Sequence, residues 1–340
     1  MDTIPHPLRL IAALVVAVAA IVAVILVSGG GDGNGGDGGD GEPGAGEWRA
    51  LTPSPFSRSE VSAARVGGSI WVAGGFAAPD LSTVPSVARY DIASGAWEEA
   101  EELPVAVNHP GMAAAGGFVY VHGGYTADGL SDEAGALQRL GPRSGRWTTL
   151  EPSPTSRAAH ALVAVGDRLY AIGGVSEGGV SNATEVYDTR TGRWTDGPAM
   201  RVAREHLAAA AIGRRIFVAG GRRDGRNLGD FEMLDTGSGE WTTLPALSVA
   251  SSGFGAAAVS GRVAVVGGEQ LSEGDETIGR ADLYDPETEA WTRLPDLRTP
   301  RHGLGVVSRG DTLYAIEGGE RPGGTYSGVL ESLEVPTPGP

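Results

Sequence analysis

The chain has 340 residues, of which 55 are glycine, none is cysteine and only 6% are aromatic. Its formal net charge of −16 disfavours nucleic-acid binding, because phosphates would meet a repulsive surface. Without cysteine the chain has no disulfide and no thiolate metal ligand, so its stability has to come from packing.

The N-terminal residues differ in composition from the rest of the chain. Residues 10–27 form an unbroken apolar run after Arg9, which is long enough to span a bilayer and longer than an ordinary signal-peptide core. We therefore expect an uncleaved transmembrane signal anchor, with residues 1–9 in the cytoplasm and the rest outside the cell. The alternative is a cleaved signal peptide and a secreted chain. Residues 28–46, rich in glycine and aspartate, are predicted to be a flexible linker.

One motif recurs six times in the remainder of the chain. Each copy has a tryptophan followed by an apolar run that ends in two glycines, and the step between them is 26 residues five times and 27 once. The longer step is interpreted as one extra residue, Glu317. A period of 47 to 51 residues is typical of stacked or radially arranged units. The tryptophans are Trp48, Trp97, Trp147, Trp194, Trp241 and Trp291, and the diglycines begin at Gly74, Gly123, Gly173, Gly220, Gly267 and Gly318.

Each copy is predicted to form a four-stranded antiparallel sheet. Short runs rich in β-branched and aromatic residues alternate with Gly, Asp and Ser, which is typical of strands joined by hairpins. In five copies the third-strand Tyr or Leu precedes the next tryptophan by seven residues, as from Tyr90 to Trp97, which predicts one register for the third and fourth strands. The last copy has no tryptophan of its own, so we expect a strand around residues 47–51 to complete its sheet and close a ring.

The repeat resembles the kelch repeat. The resemblance consists of a diglycine, a Tyr-Asp pair, a spaced Gly and Trp, and a Pro-Arg that enters the next copy, as in residues 186–194 and 299–319. It covers residues 47–335 and implies an all-β fold, a six-bladed kelch β-propeller closed by the N-terminal strand. Kelch propellers mostly bind proteins, and some exported bacterial ones are sialic acid mutarotases. Residues 336–340 are predicted to be a disordered tail.

Binding is expected on one face of this propeller. The loops between the second and third strands vary in length, and variable loops on a rigid scaffold are the usual sites of recognition. The first strands begin on the same face, where arginines and histidines are expected to converge on the channel mouth. They could hold a carboxylate or an acidic peptide, or they could instead hydrogen-bond one blade to another. The residues are Arg58, His109, Arg157, His160, Arg204, His206, Arg301 and His302.

The sequence favours a binding protein over an enzyme. No nucleophile elbow, phosphate-binding loop or H-E-x-x-H motif stands out, and the histidines come from different repeats without metal-ligand spacing. We predict a monomeric, membrane-tethered interaction module without cofactor or metal, whose partner in the cell envelope is a protein or an acidic or carbohydrate ligand. The alternative is a carbohydrate enzyme of the mutarotase type, with a histidine or Glu60 as general acid or base. Two oppositely charged loops, containing Arg222 and Glu269, are expected to pair.

Overall fold

The computed structural model describes residues 46–271 and 274–336. Within these ranges all regular secondary-structure elements are β-strands. No helix among the described residues is long and apolar enough to cross a membrane. The predicted cytoplasmic tail, the signal anchor and all but the last residue of the predicted linker lie outside the described residues. So does the predicted C-terminal tail after Pro336.

The strands are numbered in chain order. Those of the first half are β1 (Arg49–Ala50), β2 (Arg58–Ser59), β3 (Ser62–Val66), β4 (Ser69–Ala73), β5 (Phe76–Ala77), β6 (Ser82–Thr83), β7 (Val87–Asp91), β8 (Ala96–Ala100), β9 (Gly111–Ala115), β10 (Phe118–His122), β11 (Leu137–Gly141), β12 (Arg146–Leu150), β13 (Ala161–Val165), β14 (Arg168–Ile172), β15 (Val175–Ser176) and β16 (Gly179–Val180). Those of the second half are β17 (Thr184–Asp188), β18 (Arg193–Gly197), β19 (Ala208–Ile212), β20 (Arg215–Ala219), β21 (Arg222–Arg223), β22 (Arg226–Asn227), β23 (Phe231–Asp235), β24 (Glu240–Thr243), β25 (Gly255–Val259), β26 (Arg262–Val266), β27 (Glu269–Gln270), β28 (Glu276–Thr277), β29 (Ala281–Asp285), β30 (Ala290–Leu294), β31 (Gly305–Arg309), β32 (Thr312–Ile316) and β33 (Leu330–Glu334).

Most of these strands belong to antiparallel sheets of four, of which the described ranges contain six. In chain order the sheets are β3-β4-β7-β8, β9-β10-β11-β12, β13-β14-β17-β18, β19-β20-β23-β24, β25-β26-β29-β30 and β31-β32-β33-β1. The short strands that remain lie in the loops between second and third strands, except β2, which precedes the first sheet and pairs with β5. Each predicted repeat therefore forms one sheet.

The third and fourth strands pair in one register, as predicted from the seven-residue spacing. The turn before each tryptophan requires a positive φ, which glycine adopts in four copies, as at Gly95 (φ 69°). In the fifth copy Glu289 adopts the same conformation with a φ of 55°. The paired residues are Tyr90 with Trp97, Leu140 with Trp147, Tyr187 with Trp194, Leu234 with Trp241, and Tyr284 with Trp291.

The first strands of the sheets form a closed inner ring. In the order β3, β9, β13, β19, β25, β31, each strand contacts the next, and β31 contacts β3. The buried hydrophobic residues of the described chain fall into six clusters, each between two neighbouring sheets. Because burial of one large aliphatic side chain is worth about 1.5–3 kcal/mol, these interfaces hold the sheets together.

The N-terminal strand completes the sixth sheet, as predicted. Arg49 pairs with Ser332 and Ala50 with Glu331, so β1 covers the open edge of β33. Trp48, immediately before β1, is only 2% exposed and packs in the cluster between the fifth and sixth sheets. The beginning and the end of the described chain are thus joined in one sheet.

The six repeated tryptophans also join each repeat to the one before it. Each indole N–H donates to a backbone carbonyl of the preceding repeat, at 2.7 to 2.9 Å. The donor and acceptor pairs are Trp48 to Pro295, Trp97 to Thr52, Trp147 to Glu101, Trp194 to Glu151, Trp241 to Pro198 and Trp291 to Pro245. The repeat period of the tryptophan therefore reflects a contact between sheets as well as packing.

The diglycines pass against the backbone of the next repeat. Gly75 donates its N–H to the Val107 carbonyl at 2.8 Å, and a Cβ on Gly74 would overlap the same oxygen. In the last repeat the equivalent donor is Gly318, which bonds to the Arg58 carbonyl at 2.9 Å. Glu317 therefore occupies the first glycine position, with a φ of 56°. The interpretation of Glu317 as an extra residue is wrong, because the 26-residue step leads to this position in all six copies.

Candidate functional site

One residue from each repeat forms a ring around the central axis, called here the axial ring. Each member has a positive φ between 51° and 63° and directly precedes or lies near the first strand of its sheet. The backbone N–H of each member after the first donates to the carbonyl of the member before it, at 2.7 to 3.0 Å, and Val61 N–H closes the ring on the last carbonyl at 3.3 Å. The members are Glu60, His109, Ala159, His206, Gly253 and Gly303.

The residues that precede the axial ring occupy two further equivalent positions in every repeat. Two residues before the ring lie Arg58, Val107, Arg157, Arg204, Ser251 and Arg301. One residue before the ring lie Ser59, Asn108, Ala158, Glu205, Ser252 and His302. The arginines and histidines predicted to form one binding site therefore occupy different positions relative to the axial ring.

The four predicted arginines are fully buried and each has an internal carboxylate partner. The N···O distances are 2.8 Å for Arg58–Glu317, 2.5 Å for Arg157–Glu185, 3.1 Å for Arg204–Glu232 and 2.8 Å for Arg301–Glu331. The last three pairs lie within one repeat, whereas the first joins the first and sixth repeats. Only the Arg58–Glu317 pair is therefore a contact between blades, which was the structural alternative that the sequence left open. Direct contact with a ligand would require these buried pairs to open.

Three of the four predicted histidines come together. His109 and His206 are members of the axial ring, and their ring centroids lie 4.8 Å apart at 76°. His302, one position before the ring in the sixth repeat, places its Nε2 3.4 Å from Glu60 Oε1. His160 lies one position after the ring and is buried, with its Nε2 2.9 Å from His122 Nδ1. It therefore belongs to a separate histidine pair.

Glu60 lies at the centre of the three histidines. Its Oε2 is 3.2 Å from His109 Nε2, and its Oε1 faces His302. One nitrogen from His109 and one from His206, together with one Glu60 oxygen, all lie within 4.8 Å of one another. A carboxylate and imidazoles in this arrangement can exchange protons or hold a cation.

A second layer of charged residues surrounds the histidines. Arg222 donates from Nε to Glu205 Oε1 at 2.6 Å and from one terminal nitrogen to Glu269 Oε1 at 2.9 Å. Its other terminal nitrogen lies 3.2 Å from His206 Nε2, while His206 Nδ1 contacts the second oxygen of Glu205. The predicted pairing of the two oppositely charged loops is thus confirmed for Arg222 and Glu269.

Burial and neighbouring charge set the protonation of this layer. Burial lowers the pKa of His109 to about 3, although Glu60 opposes the shift. Burial would raise the pKa of Glu205, but the hydrogen bond from His206 and the charge of Arg222 lower it to about 2. Burial would also lower the pKa of Arg222, but Glu205 and Glu269 raise it. Glu205 and Arg222 are therefore charged at neutral pH, whereas His109 is neutral.

Except for Glu205, which lies behind them, these residues form the floor of a cavity of about 430 Å3, called here the mouth cavity. Its walls come from the loops between the second and third strands and include Phe76, Leu81, Leu130 and Leu271. Leu130 is 57% exposed and is one of two large hydrophobic side chains that are exposed among the described residues. The mouth cavity therefore combines a charged floor with a wall of apolar side chains, among which Asp80 and Asp128 also lie.

Sequence reasoning did not include Glu205, Arg222 and Glu269 among the site residues. Arg222 and Glu269 are the residues that directly follow the diglycines of the fourth and fifth repeats. Each forms a backbone bridge to the residue one position before the axial ring, such as Glu205 with Arg222. Arg222 and Glu269 could therefore have been identified in the sequence by their position directly after a diglycine.

A closed ring of four-stranded sheets around an axial ring defines a β-propeller. A family model described as "KLHDC2/KLHL20/DRC7 Kelch-repeats domain" matches residues 60–248, which is more than half of the chain. The chain belongs to the kelch-repeat family.

Comparison with solved structures agrees with this fold. The chain is similar to the structure titled "Structure of YjhT", with a TM-score of 0.71 and 15% sequence identity over 82% of this chain and 96% of that chain. In total, 1016 solved chains match. A search of curated proteins found no match.

Proposed function

We propose that the chain is an interaction module, a six-bladed kelch propeller that binds a protein partner through the mouth cavity. The observation that carries the proposal is the composition of this cavity, in which apolar side chains from three loops surround a charged floor. Apolar depressions with a few placed polar groups are typical of binding sites, and buried apolar anchors supply most of the affinity of protein interfaces.

The charges of the floor favour an apolar or cationic group of the partner. The floor and the layer behind it contain three carboxylates, Glu60, Glu205 and Glu269, and one guanidinium, Arg222. An acidic ligand would meet this excess of negative charge. The acidic partner expected from the arginines has less support, because those arginines are already neutralised by internal carboxylates.

The proposal includes a position outside the cytoplasm. Its support is the sequence alone: an apolar run at residues 10–27 that follows Arg9, and a linker of glycine and aspartate at residues 28–46. A linker of this composition would let the propeller reach partners at some distance from the membrane.

Two exposed hydrophobic residues provide a matched test of the binding face. Leu130 lies in a loop on the rim of the mouth cavity, and Phe118 follows the turn at the opposite end of the second sheet. We expect crosslinking pull-downs from cell-envelope extract with the full-length chain to capture a protein that Leu130→Ser captures about 10-fold less. This loss corresponds to about 1.4 kcal/mol, which is within the value of one buried leucine.

Phe118→Ser is the control, since it removes a similar exposed hydrophobic side chain (38% exposed) from the other face. It should capture the same protein as the unmodified chain. Equal capture by both variants, or loss with Phe118→Ser alone, would contradict binding at the mouth cavity.

The alternative function is a sugar mutarotase, favoured by the contact between the Glu60 carboxylate and His109 in a cavity large enough for a monosaccharide. Such a pair can supply general acid–base catalysis. The negative floor opposes a carboxylated sugar such as sialic acid. NMR exchange measurements on sialic acid anomers separate the two functions. Acceleration that Glu60→Gln abolishes would replace the interaction proposal, and an unchanged exchange rate would eliminate the mutarotase.

A further inference from the structure

We propose that Glu60, His109 and His206 form a binding site for a divalent transition-metal ion of zinc-like ligand preference. This inference goes beyond the interaction function and does not depend on it. One Glu60 oxygen and one nitrogen of each histidine lie within 4.8 Å of one another at the floor of the mouth cavity. Two imidazoles and one carboxylate are a ligand set that zinc uses in proteins.

The hydrogen bonds of His206 and His302 place a hydrogen on the Nδ1 atom of each ring. His206 Nδ1 contacts the Glu205 carboxylate and His302 Nδ1 lies 3.1 Å from the Gly319 carbonyl. Both oxygens can only accept, so each Nδ1 carries the hydrogen. In a neutral imidazole the Nε2 is then a free lone pair. Arg222 donates to His206 Nε2 at 3.2 Å, which is consistent with this tautomer.

Asn108 assigns the same tautomer to His109. The Asn108 amide nitrogen donates to Thr83 Oγ1 at 2.8 Å and to the Ala127 carbonyl at 3.2 Å, which fixes the orientation of the amide. Its oxygen therefore faces His109 Nδ1, 2.6 Å away, and accepts its hydrogen. His109 Nε2 is left as a lone pair directed at a carboxylate oxygen 3.2 Å away.

When the imidazoles are neutral, the Nε2 lone pairs and the Glu60 oxygens repel one another, and a proton or a bound cation relieves this repulsion. Glu60 faces His109 Nε2 at 3.2 Å and His302 Nε2 at 3.4 Å. Each metal-binding histidine of a protein usually donates its other N–H to a carboxylate or a carbonyl, as His206 does here to Glu205. The acceptors behind the histidines are thus those that a metal site requires.

The charges of the neighbouring residues also fit a divalent cation. Three carboxylates and one guanidinium leave two negative charges in excess when the imidazoles are neutral. A divalent ion would cancel this excess. It would displace the contact of Arg222 with His206, while Arg222 keeps its bonds to Glu205 and Glu269.

The backbone of the axial ring holds the three proposed ligands at equivalent positions. Positive φ is unfavourable for a residue with a side chain, at a cost on the order of 1 kcal/mol or more, and such strain is concentrated at functional sites. Three of the six ring positions carry only Ala or Gly, whereas Glu60, His109 and His206 have positive φ values of 52° to 53°. Ala159 has nearly the same φ, 51°, so the ring imposes this conformation in every repeat, and the three polar side chains that it carries are the proposed ligands.

Coordination of zinc requires the widest ligand separation to contract by about 1.5 Å. Zinc-to-nitrogen bonds of about 2.0–2.1 Å place tetrahedral ligand atoms roughly 3.3 Å apart, compared with at most 4.8 Å here. Three protein ligands would leave one coordination position, and all three residues line both the mouth cavity and the central channel below it. An ion there could contact a bound partner directly.

The test is a calorimetric titration of ZnCl2 into the full-length chain, purified without a polyhistidine tag and stripped of metal by a chelator. We expect one ion to bind per chain with a dissociation constant in the micromolar range or below. Glu60→Gln, His109→Ala and His206→Ala should each weaken binding by about 100-fold or more. Both alanine variants are expected to fold, because Ala159 occupies the same ring position with a φ of 51°. Circular dichroism checks this.

Two control variants keep the test specific. Asp80→Asn removes a carboxylate from the cavity wall, and His160→Leu removes a histidine at a position where Leu207 and Leu304 stand in other repeats. Both should bind Zn2+ as the unmodified chain does, and Ca2+ and Mg2+, which prefer all-oxygen sites, should not bind. The proposal is overturned if Zn2+ does not bind saturably, if the three ligand variants retain affinity, or if Ca2+ binds equally well.

Discussion

At the scale of single residues, the four buried arginines are the most consequential feature of the repeats. Arg157, Arg204 and Arg301 each pair with a glutamate on the third strand of the same sheet. The first repeat has Ala88 at the equivalent third-strand position, so Arg58 has no such partner. Glu317 supplies the missing carboxylate from the sixth repeat, with two hydrogen bonds of 2.8 and 2.9 Å. Glu317 thus stands where the other five repeats have glycine, and it forms an ion pair across the closing interface.

This exchange predicts the effect of restoring the glycine. Glu317→Gly removes an unfavourable positive φ, worth on the order of 1 kcal/mol, but leaves the Arg58 guanidinium buried without a carboxylate. Loss of one partner of a buried pair costs about 3–5 kcal/mol, so we expect a net loss of at least about 2 kcal/mol in the free energy of unfolding. Urea unfolding of the full-length chain, followed by tryptophan fluorescence, measures it.

The double variant Arg58→Val with Glu317→Gly is the control. It copies the second repeat, where Val107 holds the arginine position. It should regain most of the stability, because no charge is left unpaired. A single variant as stable as the unmodified chain would show that the pair is unimportant, and a double variant no more stable than the single one would show that the loss does not come from an unpaired charge.

At the scale of strands and loops, a feature could be predicted from the sequence when the residues that determine it lie close together in the chain. The register of the third and fourth strands follows from a turn with fixed spacing, so the pairing of Tyr90 with Trp97 was predictable. The acceptors of the tryptophan N–H groups also lie at a fixed position, four residues after the tryptophan of the preceding repeat, as Glu101 follows Trp97, but only the contact between sheets identifies them as acceptors.

The site was predictable only in part for a related reason. His109 and His206 come from the second and fourth repeats, and spacing along the chain argued against a common ligand. The propeller brings equivalent positions of all repeats to the axis, so sequence separation has no bearing on their distance. The structural role of the arginines could have been predicted from the third strands, because three of these strands contain a glutamate that pairs with an arginine. These glutamates are Glu185, Glu232 and Glu331.

At the scale of the whole molecule, the ring is closed by several contacts that involve few residues. The closing sheet receives only the two-residue strand β1 from the N-terminal side, and Trp48 fills the cluster beneath it. Its indole N–H donates to the Pro295 carbonyl at 2.9 Å. The closing interface also contains the Arg58–Glu317 pair and the bond from Gly318 to the Arg58 carbonyl. Loss of the N-terminal strand should therefore open the edge of β33 and weaken the whole ring.

Deletion of residues 47–52 tests this closure. Removal of a buried tryptophan costs about 3–5 kcal/mol, and the loss of β1 adds unpaired strand edge to that cost. For a domain of this size we expect the thermal midpoint to fall by about 10 °C, since each kcal/mol shifts it by about 2–4 °C. Deletion of residues 31–36 from the glycine-rich segment is the length-matched control and should leave the midpoint unchanged. Calorimetry of the full-length chain compares the two deletions, and equal midpoints would mean that closure by the N-terminal strand contributes nothing to stability.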